Sequence, residues 1–89
     1  MREDSARSLA VKRLHGYINE YLEHKREPTD IAYDIVDLAS VYPAFCEEEK
    51  EPILGKIWAI ATQLELPENF SDIKHDDGWK ELIELTRSL

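Results

Sequence analysis

Four prolines, at positions 28, 43, 52 and 67, cut this 89-residue chain into five segments, and four of these carry one helical stripe of apolar residues. Proline lacks a backbone N–H and its ring clashes with the preceding turn, so a regular helix does not run through it. The residue before it is pushed toward extended geometry. Between these breaks apolar residues recur at i, i+3, i+4 and i+7, the spacing of one helix face, and strand-like alternation is nearly absent.

The first segment predicts a helix over residues 5–25, with Ser5 as its N-cap and Ala10, Val11, Leu14, Tyr17, Ile18, Tyr21 and Leu22 as its stripe. Gly16 sits inside it, where glycine costs up to about 1 kcal/mol relative to alanine. Its place beside the stripe suggests that another helix approaches closely there. Glu27-Pro28 ends the segment. The second helix is expected over 29–42, capped by Thr29, with Asp30 in its first turn and Ile31, Ile35, Leu38, Ala39 and Tyr42 inward. Residues 44–50 suit a short helical turn. The third helix is expected over 51–65, because Pro52 is tolerated at a first helical position. Its stripe is Ile53, Leu54, Ile57, Ile60, Ala61 and Leu64, with Trp58 on the flank. Residues 67–77 read as a loop with Phe70 and Ile73 tucked against the core. A last helix over 77–88 follows, capped by Asp76 or Asp77, with Trp79, Leu82, Ile83 and Leu89 inward. The fold expected is all-α: one compact, four-helix bundle-like domain spanning residues 1–89 with short connections.

Composition agrees with one small core. A chain of this length buries roughly 60–65% of its unfolded surface, and 43% of its residues are hydrophobic, which argues against disorder. The lone Cys46 permits no intrachain disulfide, the stretch MREDSARSLAVKRLHGY is too polar for a signal peptide, and no apolar run approaches the ~20 residues of a membrane span. These features predict a soluble, cytoplasmic protein. Charge is uneven: residues 1–27 carry six basic and five acidic side chains, residues 28–89 five and fourteen, for a total of −8. Such a field repels nucleic acid and anionic membranes and attracts basic proteins.

The acidic residues gather in two places. Glu47, Glu48, Glu49 and Glu51 precede and open the third helix, and Asp30, Asp34 and Asp37 fall at i, i+4 and i+7 on one side of the second. Carboxylates at a helix start favour the macrodipole, but four of them repel one another beyond that need. Like charges four residues apart destabilise an isolated helix by ~0.2–0.5 kcal/mol. The partners that offset this are either the chain's own Arg7, Lys12, Arg13, Lys25 or Arg26, or the cations of another protein. Tyr33 borders the aspartate stripe as an amphipathic contact residue, and Trp58, at the edge of its stripe, is either core or a partly exposed anchor. The candidate partner-binding set is therefore Asp30, Tyr33, Asp34, Asp37, Glu47, Glu48, Glu49, Glu51 and Trp58.

Other chemistries find little footing. Gly78 and Glu84 match the end of an EF-hand loop, but its first ligand would be Ile73, and Lys80 replaces an apolar residue. Cys46, His15, His24 and His75 lack zinc-ligand spacing, and Cys46 among carboxylates reads as a buried apolar side chain. A Gly-rich phosphate loop, a Ser–His–Asp pattern and a basic-aromatic nucleic-acid pattern are all missing. No enzymatic activity and no cofactor or metal is expected. In size, acidity and helical content the chain resembles the small bacterial immunity proteins and antitoxins that plug basic nuclease toxins. The resemblance lies in general properties and transfers no residue role. The function expected is a small acidic helical module docking a basic protein surface, with a neutraliser as one form of it. The alternative is a structural homo-oligomer, or a subunit of a larger assembly with no activity of its own.

Overall fold

Every proline of the chain opens a helical element. In the computed structural model, which describes residues 3–89 and the side chains of residues 5–89, the helices among the described residues are α1 (Glu3–Leu22), α2 (Pro28–Val41), α3 (Pro52–Leu64) and α4 (His75–Arg87). Short 3₁₀ turns, Pro43–Cys46 and Glu68–Phe70, fill two of the connections. Pro28 and Pro52 stand at the first helical positions of α2 and α3, Pro43 opens the first 3₁₀ turn, and Pro67 caps the second. There the missing N–H is one that the helix leaves unpaired anyway. The all-α architecture expected from the apolar periodicity is the one observed.

Both ends of α1 and the starts of α2 and α4 differ from expectation. Ser5 lies within α1 instead of capping it, and α1 ends at Leu22 rather than near residue 25. Its terminator is His24 in the left-handed region (φ 55°). The Lys25 N–H bonds to the Glu20 carbonyl at 3.0 Å and the His24 N–H to the Tyr21 carbonyl at 3.2 Å, the paired closure of a Schellman motif. At α2, Glu27 in extended geometry (φ −63°, ψ 133°) is the cap residue, so Thr29 already belongs to the first turn. At α4 the cap position falls on Lys74, which leaves Asp76 and Asp77 in the first turn, where they favour the macrodipole without capping.

Packing proceeds in sequence order. The α1–α2, α2–α3 and α3–α4 pairs carry most of the contact, and α1 meets α4 more sparingly, with Tyr21 stacked on Trp79 at 4.1 Å between ring centroids. The core comprises Ala10, Leu14 and Ile18 of α1, Ile31, Ala32, Ile35 and Leu38 of α2, Leu54, Ile57, Ala61 and Leu64 of α3, and Trp79 and Leu82 of α4. Tyr42 at the end of α2 and Ala44 and Phe45 of the first 3₁₀ turn close it. Each fully buried Leu, Ile or Phe contributes about 1.5–3 kcal/mol of transfer free energy. Trp79 is buried although its indole N–H has no acceptor among the described residues. That costs about 1–3 kcal/mol, and the burial of a ring of roughly 150–250 Å² offsets it.

Several side chains expected inside lie outside. Cys46 is exposed, its thiol pointing back to the Pro43 carbonyl at 3.4 Å, and Phe45 takes the core position one residue earlier. A 3₁₀ turn has three residues per turn, so neighbouring residues point in different directions, and one of the two must leave the core. Phe70 is 72% exposed, and Leu22 and Leu89 are exposed as well. Ile73 does tuck in, its Cδ1 lying against Gly78.

The glycines reverse the expected assignment. A Cβ on Gly16 would meet nothing within 4 Å, so no helix approaches there. The close approach is at Gly55, where a Cβ would stand 2.7 Å from the Glu48 Cα and 2.8 Å from its backbone nitrogen. The turn leading into α3 lies directly on that helix, and only glycine leaves room for its main chain. Gly16→Ala is expected to raise unfolding stability by up to about 1 kcal/mol, and Gly55→Ala to lower it by about 1–3 kcal/mol through overpacking against backbone. Urea denaturation of both variants checks the opposite signs.

Candidate protein-docking face

The acidic residues divide into those that serve the fold and those that face solvent. Glu51 belongs to the first kind. It is only 8% exposed and stands at the N-cap position of α3, yet its side chain does not cap the helix. Its carboxylate instead receives Arg7 Nε at 2.7 Å and Arg7 Nη2 at 3.3 Å from α1, and the Tyr42 hydroxyl at 2.7 Å from the end of α2. One carboxylate thus joins three helices through charge-assisted bonds. Burial by itself would raise its pKa. The hydrogen bonds from Arg7 and Tyr42, with the Arg7 charge, outweigh burial and hold it below the usual carboxylate range. Glu51 therefore leaves the set expected to meet a partner.

The aspartate stripe divides in the same way. Asp34 turns toward the α1–α2 link and pairs with Arg26, Nη2 to Oδ2 at 2.6 Å, while Arg26 also reaches Glu20 at 3.4 Å. Tyr17 lies at the same seam, its phenol pushed above its ordinary pKa first by burial and then by the charge of Asp34. This ion pair neutralises the middle charge of the stripe and relieves the i, i+4 repulsion that the sequence left open. Asp30 and Asp37 are exposed and belong to no ion pair among the described residues. Tyr33, 65% exposed, stands between them on the outer side of α2.

The remaining glutamates lie apart, in the turn before α3. Glu47 pairs with Lys50 at 3.4 Å, an exposed contact of little energetic consequence. Glu48 presses its backbone on Gly55 while its side chain stays exposed, and Glu49 is exposed.

Trp58 connects α3 to the aspartate face. The indole is half-buried, and its N–H donates to the Val36 carbonyl at 3.2 Å, which fixes the ring across the seam between α2 and α3. Beside it opens a groove of roughly 330 Å³ lined by Tyr33, Val36, Asp37, Ala39, Ser40, Trp58 and Glu65. Three residues singled out from the sequence, Tyr33, Asp37 and Trp58, therefore meet at one place. Glu65 was not foreseen, although it lies seven residues from Trp58 and so on the same side of α3.

Among the described residues no three His, Cys, Asp or Glu side chains group as metal ligands, and no helix is long and apolar enough to cross a membrane. Comparison of the chain with family models, with characterised proteins and with solved structures finds no match.

The depressed pKa of Glu51 has a definite sign in stability. A carboxylate whose folded pKa lies below its unfolded value stabilises the fold above that unfolded value, near 4.5, and loses the contribution as pH falls through the folded one. At neutral pH Glu51→Gln is expected to lose about 1.5–3 kcal/mol, the range for a charged hydrogen bond. The difference from wild type should be constant above about pH 5.5 and shrink steadily below about pH 4.5. Urea titrations across that window check it.

Proposed function

We propose that this chain is a small acidic helical protein-binding module that docks a basic protein surface on the outer face of α2. The observation that carries the reading is the division of the carboxylates. Asp34 and Glu51, turned inward, are matched by Arg26 and Arg7, while Asp30 and Asp37 flank the exposed Tyr33 and belong to no ion pair among the described residues. A net charge of −8 adds a long-range field of the same sign. Charge of this kind speeds encounter with a cationic partner and repels anionic ones. Tyrosine supplies rigid contact area with a polar tip, a combination enriched at interfaces.

A neutraliser of the immunity or antitoxin type is the form of this function that the size, acidity and helical content favour. A nucleic-acid-cleaving toxin must present a cationic surface to its substrate's phosphates, and carboxylates spaced along one helix face are suited to cover it. Self-association through α1 has less support, since the large apolar side chains that α1 leaves exposed are Leu9 and Leu22, far apart along the helix.

A lysine nonapeptide serves as a defined cationic probe. Its affinity should fall between about 0.02 M and 0.2 M salt as the Debye length shortens. Asp30→Asn/Asp37→Asn is expected to weaken binding at least about threefold more than Glu81→Gln/Glu84→Gln, which removes the same charge from exposed positions of α4. Equal losses in the two double variants would show that only net charge matters and would remove the α2 face as the docking surface.

A further inference from the structure

The groove between α2 and α3 has a composition that names its guest more narrowly than the docking face does. We infer that it receives one arginine side chain of the docked partner, an inference that rests on the docking reading above. Each helix contributes one aromatic ring and one carboxylate: Tyr33 and Asp37 from α2, Trp58 and Glu65 from α3 and its C-terminal cap. Among the described residues neither Asp37 nor Glu65 takes part in an ion pair, and no Lys, Arg or His lines the groove.

The other surface grooves differ on this point. Lys80 and Arg87 line the one beside Tyr21 and Trp79, Lys56 lines the one between Glu48 and Glu81, and Lys50 sits among Glu47, Glu48 and Glu49. Each already carries a cation of the chain. The α2–α3 groove pairs carboxylates with aromatic rings, and no described residue lining it supplies a counter-charge.

Trp58 decides what kind of contact the groove offers. Its N–H is engaged by the Val36 carbonyl, so the ring presents apolar and π surface to a guest rather than a donor. A volume of roughly 330 Å³ is at the low end for small-molecule pockets. The groove lies at the surface, where a free small molecule would remain largely hydrated. A side chain carried by a docking protein meets no such limit, because the surrounding interface excludes water. A guanidinium suits the four groups better than an ammonium. It is planar and weakly hydrated, it stacks on aromatic faces, and its fork of donors reaches two carboxylates at once.

The test compares an arginine nonapeptide with its lysine counterpart, followed by the two indole N–H resonances of the intact protein. Trp79 is buried and acts as an internal control. Both peptides are expected to shift amides on the outer face of α2. The arginine peptide should also shift the Trp58 indole N–H, leave that of Trp79 in place, and bind about three- to tenfold tighter. Glu65→Gln should erase the arginine preference while changing lysine-peptide affinity less than about twofold, and Tyr33→Leu, which lowers the affinity of both peptides, should erase the preference as well. If the lysine peptide binds the α2 face but the arginine peptide leaves Trp58 unmoved, or keeps its preference in both variants, the groove assignment is wrong and the docking face stands. If neither peptide perturbs α2, the docking face is removed, and the guest with it.

Discussion

One buried carboxylate ties the architecture together. α1, α2 and α3 follow one another through short links, and each helix alone offers only an amphipathic face with marginal stability. Glu51 fixes their relative placement at a single point, with Arg7 reaching from α1 and the Tyr42 hydroxyl from the end of α2. The same residue occupies the N-cap position of α3, so the entry of that helix is set by the other two. A buried ion without partners would cost several kcal/mol. Here a charged fork and a hydroxyl satisfy it, and Tyr42, which is itself buried, gains the acceptor that a hidden phenol needs. The tight packing of Glu48 on Gly55 follows from the same geometry, since the chain must turn sharply to bring Glu51 inward.

The helical content was legible because proline and apolar spacing act locally. Pro52 at the start of α3 and the stripe Leu54, Ile57, Ala61 and Leu64 needed no knowledge of the rest of the chain. What was hidden depends on tertiary placement or on uncommon backbone geometry. His24 closes α1 in a conformation normally left to glycine or asparagine, so no glycine marks the end of the helix and the apolar pattern alone runs past it. Gly16 and Gly55 look alike in sequence, and only the fold shows which one faces another backbone. Cys46, expected inside, is exposed and Phe45 fills the core instead, because a 3₁₀ turn sets its own register of inward positions.

The candidate face was half legible. The i, i+4, i+7 spacing places Asp30, Asp34 and Asp37 on one side of α2, with Tyr33 beside them. That Asp34 is matched by Arg26 depends on the path of the α1–α2 link, and that Glu51 turns inward depends on Arg7, 44 residues away. Neither follows from local pattern. The junction of Trp58 with Tyr33 and Asp37 likewise exists only once α2 and α3 are packed. The electrostatic outcome is orderly: the chain's own arginines neutralise the carboxylates at the helix seams, and Asp30 and Asp37 keep their charge toward solvent.

A double-mutant cycle on Arg7 and Glu51 probes this division of charge most directly. Arg7→Met, Glu51→Gln and the combined variant, unfolded in urea near neutral pH, give the coupling of that pair free of whatever other interactions each residue makes. The account predicts a favourable coupling of about 1–3 kcal/mol that weakens as the solution is acidified toward protonation of Glu51. A coupling within about 0.3 kcal/mol of zero would mean that Glu51 does not join the helices, and that its charge belongs with the outward-facing carboxylates after all.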